Sequence, residues 1–116
     1  GSEMCIRDRY YDLLTLREPP MRILFLLAKQ FRQICLTKKM SQEGLSQTEI
    51  ASKLGVPSFV VRNLASCARS YTVEELENAV RDFVDAEEAV KTGTLGDVLS
   101  VELLIVKYSS ARAVRA

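Results

Sequence analysis

Residues Pro19–Lys39 read PPMRILFLLAKQFRQICLTKK, and the fold turns on this stretch. It holds no acidic residue. Ile23, Leu24, Phe25, Leu26, Leu27, Ala28, Phe31, Ile34 and Cys35 would be apolar on more than one side of a helix. A helix that is apolar over most of its circumference has to be covered by several others, and the segments around it look like that cover. A membrane span is the competing reading. It fails on two counts: five basic residues lie within the stretch, and the uninterrupted run Ile23–Ala28 is far short of the ~20 apolar residues needed to cross a bilayer. Arg22, Lys29 and Arg32 fall on a single stripe, because about 3.6 residues per turn brings i, i+7 and i+10 round to nearly the same side.

On the N-terminal side, Tyr10–Arg17 (YYDLLTLR) reads as the end of a helix carrying Leu13, Leu14 and Leu16. Glu18-Pro19-Pro20 closes it, since the residue before a proline avoids the helical region. Pro19 or Pro20 then fits the first turn of the central helix, where a missing N–H costs nothing. That helix is expected to run to about Met40 and to end on Lys38 and Lys39, the favourable charge for a C-terminus. Residues 1–9 need separate treatment. Gly1-Ser2 looks like a cloning scar, and Met4–Arg9 (MCIRDR) resembles the translation of a transposon-end adapter used in preparing sequencing libraries. On that reading residues 1–9 are not biological, the native chain begins upstream of Tyr10, and this is the tail of something longer.

On the C-terminal side, Gln42-Glu43-Gly44 is a turn, and Ser46-Gln47-Thr48-Glu49 is a capping box for a short helix with Ile50, Ala51 and Leu54 that stops at Gly55. Pro57 opens the next helix, with Phe59, Val60, Leu64, Cys67 and Ala68 as its apolar set. Thr72-Val73-Glu74-Glu75 is a second capping box. From it Val73, Leu76, Val80, Phe83 and Val90 form a narrow apolar seam on a long helix. The other face of that helix is acidic: Glu74, Glu75, Glu77, Asp82, Asp85, Glu87 and Glu88. Gly93 and Gly96 break the chain. In Val98–Tyr108 (VLSVELLIVKY), β-branched residues favour a strand, but a lone strand would have no partner, so a helix is expected. Residues 109–116 read as a frayed tail. The expected fold is all-α, a single bundle of about five to six helices spanning residues 10–108.

The chain has 116 residues, enough for one domain and hardly two. Roughly two-thirds of the unfolded surface can be buried at this size, so a real core is possible. Apolar residues make up 47% and charged residues 27%, ordinary for a soluble globular protein. The net charge is +1, which gives nucleic-acid binding no help beyond local patches. The three cysteines, Cys5, Cys35 and Cys67, match no zinc spacing. Cys35 and Cys67 read as buried thiols of a reducing compartment, and neither a signal-peptide pattern nor a lipidation motif is visible.

Chemistry is hard to place on these residues. There is no histidine, which removes the commonest general base and the commonest metal ligand. No glycine-rich stretch fits a phosphate loop, and the carboxylates on one helix lack a pocket that would set two different pKa values. No catalytic site, cofactor or metal is expected. The sharpest local pattern is Leu45–Leu64 (LSQTEIASKLGVPSFVVRNL), which resembles a DNA-binding helix-turn-helix. Reading DNA needs polar or basic side chains at the start of the second helix, and Pro57, Ser58, Phe59 and Val60 stand there instead. A helical hairpin packed into the bundle is the plainer reading. The stripe Arg22/Lys29/Arg32 is open to three: a solvated or internally paired face, a protein partner, or phosphate contacts.

Taken together, YYDLLTLREPPMRILFLLAKQFRQI, GLSQTEIASKLGVPSFVVRNLASCARSYTVEELENAVRDF and AEEAVKTG resemble the C-terminal domain of the delta subunit of bacterial DNA polymerase III, over roughly Tyr10–Tyr108. The most specific pieces are the Pro-Pro-Met-Arg-Ile-Leu opening, Pro-Ser-Phe-Val-Val-Arg and Ala89-Val90-Lys91-Thr92-Gly93. The resemblance implies a helical domain that joins the collar of the clamp loader, the cytoplasmic ring that opens the sliding clamp and places it on primed DNA. The implied partners are the gamma/tau and delta-prime subunits through the collar, with the clamp and primed DNA reached by the full-length complex and no membrane involved. It also implies that the helix-turn-helix-like segment belongs to the bundle, and that no nucleotide is bound productively. Candidate interface residues are Arg22, Lys29 and Arg32 on the central helix, and Val98, Leu99, Glu102 and Tyr108 on the last. The rival readings are a helix-turn-helix DNA-binding module and a helical adaptor outside replication.

Overall fold

A computed structural model of the chain describes residues 5–115 along the backbone and residues 6–109 with their side chains. Six helices follow one another: α1 (Cys5–Thr15), α2 (Pro20–Gln42), α3 (Gln47–Leu54), α4 (Ser58–Ala68), α5 (Val73–Lys91) and α6 (Asp97–Arg115). The all-α bundle expected from the sequence is the fold observed. The central stretch is one helix that packs against each of the other five. Its buried set, Ile23, Leu24, Leu27, Ala28, Phe31, Ile34 and Cys35, covers too wide an arc for a single neighbour.

Local signals place the helix ends. Pro19 sits in extended backbone before Pro20, the first residue of α2, as expected of a proline pair. Both capping boxes form. The Ser46 hydroxyl accepts from the Glu49 N–H at 3.2 Å, and the Glu49 carboxylate accepts from the Ser46 N–H at 2.9 Å. Thr72 and Glu75 repeat the exchange at 3.0 and 2.8 Å. Thr72→Ala is expected to cost about 1 kcal/mol, read as a shift in the urea midpoint with an unchanged slope. Between α1 and α2 the chain reverses at Arg17, the only non-glycine residue with positive φ among those described, at 59°. The Glu18 N–H reaches back to the Leu13 carbonyl at 3.1 Å, closing a turn that ordinarily carries glycine. Arg17→Gly is expected to raise stability by about 0.5 kcal/mol, the left-handed strain relieved less the extra freedom of the unfolded chain. Thermal unfolding of the pair checks it.

The core has a large part and a small one. The large part centres on Phe31, whose ring lies 5.4 Å from Phe83, 5.5 Å from Tyr108 and 5.8 Å from Tyr71. The small part, Ile50, Ala51 and Val61, holds α3 against α4.

The expectations for the inner faces of α4 and α5 and for Cys67 need correcting. In α4 it is Val61 that is fully buried, whereas Phe59 is 57% exposed. The neighbours of Val61 on its own face, Leu64 and Ala68, turn inward with it, three and seven residues on. In α5 the innermost residues are Leu76, Ala79 and Phe83; Val80 and Val90 are only partly buried. Cys67 is disulfide-bonded, so the thiol reading holds for Cys35 alone among the described residues. α1 begins at Cys5, inside the stretch read as adapter, and Ile6 there is buried in the large core. α6 runs through the stretch expected to fray as far as Arg115, although the side chains of residues 110–116 lie outside those described.

Candidate functional site

α2 owes its charge to its sequence: five cations and no carboxylate between Pro20 and Gln42. Two cations near its end are tied down. Lys38 donates to the Ala68 carbonyl at 3.0 Å, and Lys39 meets Glu77 of α5 at 2.5 Å. The Lys39 hydrogen bond, and then its charge, hold the Glu77 carboxyl below the usual range. The remaining three, Arg22, Lys29 and Arg32, are exposed and form no ion pair among the described residues. Among the cations of α2, ion pairing with the acidic face of α5 is therefore confined to Lys39. Arg22 instead lies over the ring of Phe25, 5.8 Å from its centroid.

Among the described residues, α6 carries more exposed large apolar side chains than any other helix. Its buried positions, Val101, Leu104, Ile105 and Tyr108, follow the i, i+3, i+4, i+7 pattern of a helix face. The opposite face is set by the same period: Leu99 is 50% exposed, Leu103 54% and Val106 59%, with Val98 and Glu102 beside them. Next to it α1 exposes Tyr11 and Leu14. Those two residues with Glu102 and Val106 line a groove of about 470 Å³ between α1 and α6. A second groove of about 320 Å³, lined by Asp85, Ala89, Leu95 and Leu103 among others, runs between α5 and α6.

Of the residues singled out on α6, Val98, Leu99 and Glu102 are on this outer surface, and Tyr108 is not. Tyr108 is 4% exposed, and its hydroxyl donates to the Asp82 carboxylate of α5, which also accepts from Lys107 at 2.7 Å. It belongs to the core because it shares a face with Val101 and Leu104. Leu103, Val106, Tyr11 and Leu14 were missed. The helical period of VLSVELLIVKY would have found the first two once Val101 and Leu104 were taken as the inner face.

The helix-turn-helix likeness is real as a scaffold. α3 ends on Gly55 at φ 70°, in the left-handed region, and α4 follows after Pro57. A side chain added at Gly55 would meet nothing within 4 Å, so glycine is wanted there for its backbone alone. The readout face is poor: Phe59 fills the exposed first turn of α4, with Arg62 and Asn63 the exposed polar residues after it. The inner face of α4, Leu64, Cys67 and Ala68, is part of the large core.

No group of three or more potential metal ligands occurs among the described residues, and no described helix is long and apolar enough to cross a membrane.

The family described as the C-terminal domain of the DNA polymerase III delta subunit matches residues 5–108. The match ends where the resemblance seen in the sequence ends, at Tyr108, and starts five residues earlier than Tyr10. The DNA polymerase III subunit delta of Bacillus subtilis (strain 168) is 35% identical over 98 residues, which span 84% of this chain and 28% of that protein. Among solved structures, the Bacillus subtilis DNA clamp loader delta protein YqeN superposes with a TM-score of 0.81 at 31% identity, over 94% of this chain and 34% of its own. The chain thus corresponds to about a third or less of the length of these relatives.

Proposed function

Because the chain belongs to the family formed by the C-terminal domain of the DNA polymerase III delta subunit, we propose that it is an oligomerisation module, helping to assemble the clamp loader that loads the sliding clamp on primed DNA. The observation that carries this reading is the outer face of α6 with its border on α1. Leu99, Leu103 and Val106 of α6 and Tyr11 and Leu14 of the adjoining α1 leave large apolar side chains in water, with Glu102 in the groove between the two helices and Lys107 near Leu103. An apolar centre with a polar rim is the anatomy of a protein–protein interface, and patches of this kind are uncommon on domains that act alone. The partners in this proposal are gamma/tau and delta-prime in the collar, with the clamp and DNA engaged by the rest of the subunit and the complex, in the cytoplasm. The domain itself performs no catalytic step. Its part in replication is to hold geometry.

The test is size-exclusion chromatography with light scattering. The chain is mixed with the ATPase subunit of the same organism's clamp loader, both as it stands and joined to the N-terminal part that its relatives carry. Co-migration at a defined stoichiometry is expected, and Leu103→Glu is expected to abolish it while leaving the circular dichroism spectrum unchanged. Separate elution of both wild-type forms would sink the proposal.

A further inference from the structure

The exposed side of α2 carries a surface of a different kind. Arg22, Phe25, Lys29, Arg32 and Leu36 recur at gaps of three and four, so they form one seam along the helix. All five are exposed, Phe25 at 46% and Leu36 at 41%. A groove runs down each side of the seam. On the α4 side is one of about 400 Å³, where Leu26 and Val60 lie with Lys29, Gln30 and Asn63. On the α5 side a smaller one of about 180 Å³ has Arg32, Leu36 and Val80 in its wall.

We propose that this seam is a second docking face, and that its occupant is an acidic amphipathic helix of a neighbouring clamp-loader subunit. This rests on the assembly reading above. Three observations argue for that occupant. The seam is wholly cationic where it is charged, with no carboxylate of its own helix to neutralise it, so the complement is acidic. It carries apolar residues as well as cations, and a phosphate backbone has nothing with which to cover Phe25 and Leu36. A helix with apolar residues at i, i+3, i+4 and i+7, flanked by carboxylates, covers both. The end of the seam shows the same pairing inside the chain: α2 already packs on one acidic amphipathic helix, α5, and Lys39 meets Glu77 there.

The two faces are unlike. α6 offers an apolar strip with Glu102, and α2 offers a cationic seam with two apolar anchors. Unlike faces on one domain suit head-to-tail contacts, the kind that close into rings when the rotation allows.

The experiment uses the chain joined to the N-terminal part that its relatives carry, in the assembled loader. Two double variants are compared, Arg22→Glu/Arg32→Glu and Phe25→Ser/Leu36→Ser, with Arg22→Lys/Arg32→Lys as the conservative control. Each double variant is expected to weaken assembly about tenfold or more, the charge variant less so as salt rises. The conservative control is expected to assemble normally. Binding of a short DNA duplex is measured alongside. Normal assembly by Phe25→Ser/Leu36→Ser overturns the proposal, and loss of duplex binding by the charge variant alone would reassign the seam to nucleic acid. Failure of the wild-type subunit to assemble is a different result: it removes the assembly reading itself, and this face with it.

Discussion

Phe31→Ala is expected to lose about 3–5 kcal/mol of folding stability, the range for truncating a fully buried aromatic. A domain of this size has only about 5–15 kcal/mol in total, so the variant should be largely unfolded at modest urea concentrations. The reason is position. Phe31 is 1% exposed and its ring touches Tyr71, Phe83 and Tyr108, which come from the turn before α5, from α5 and from α6. Removing it opens a void between three parts of the chain that cannot close without moving helices. Phe25→Ala is the internal control. It is the same residue type on the same helix, 46% exposed, and is expected to change stability by less than about 0.5 kcal/mol. Equal losses from the two would mean that α2 is not centred in the bundle as described.

The second large effect concerns the one polar link between α5 and α6 in the described structure. Asp82 accepts from Lys107 and from the hydroxyl of Tyr108. Asp82→Ala strands a buried phenol without its acceptor and is expected to cost about 2 kcal/mol. Tyr108→Phe removes the hydroxyl, keeps the ring against Phe31 and Phe83, and leaves Asp82 with Lys107, so it should cost about 1 kcal/mol or less. A Tyr108→Phe protein as damaged as Asp82→Ala would show that the link is not what holds the two helices in register.

The same link has a pH signature. Burial on its own would push the Asp82 carboxyl up, but the hydrogen bonds from Lys107 and Tyr108 together prevail and hold it below the usual range. A depressed folded-state pKa gives stability that is present above the unfolded value and is lost as pH falls through it. The domain should therefore weaken below about pH 4, and Asp82→Asn should flatten that limb. It will not abolish it, since Glu49, held down by the Ser46 backbone N–H and then its hydroxyl, and Glu77 titrate the same way. On the alkaline side burial, and then the bond to Asp82, raise the Tyr108 phenol. Above about pH 10 the unfolded chain gives up that proton and the folded chain keeps it, so stability falls. In Tyr108→Phe that contribution disappears, leaving those of Tyr10, raised first by burial, of Cys35, raised first by burial, and of Lys39, raised first by its hydrogen bond to Glu77.

What was legible in the sequence was what a few neighbouring residues decide. The proline entry to α2, both capping boxes and the glycine stop of α3 depend on groups within about one helical turn of each other, whereas the all-α class also needed the argument that a strand at Val98–Tyr108 would have no partner. The central place of α2 was legible too, because an apolar arc that wide has no stable alternative to being surrounded. The cationic stripe needed only the helical period. Three matters were not local. Which of Phe59, Val60 and Val61 goes inside depends on how α4 is rotated about its own axis, and its contacts with α2 and α3 set that rotation. In the same way the rotation of α6 buries Tyr108 and turns Leu103 and Val106 outward, so the apolar strip was seen only in part. The pairing of Lys39 with Glu77, and the isolation of Arg22, Lys29 and Arg32, follow from where α5 crosses α2, tens of residues away in the chain. The helix ends at these caps and prolines are set at short range. The rotation of each helix against its neighbours, and with it every candidate surface, is decided by packing at long range.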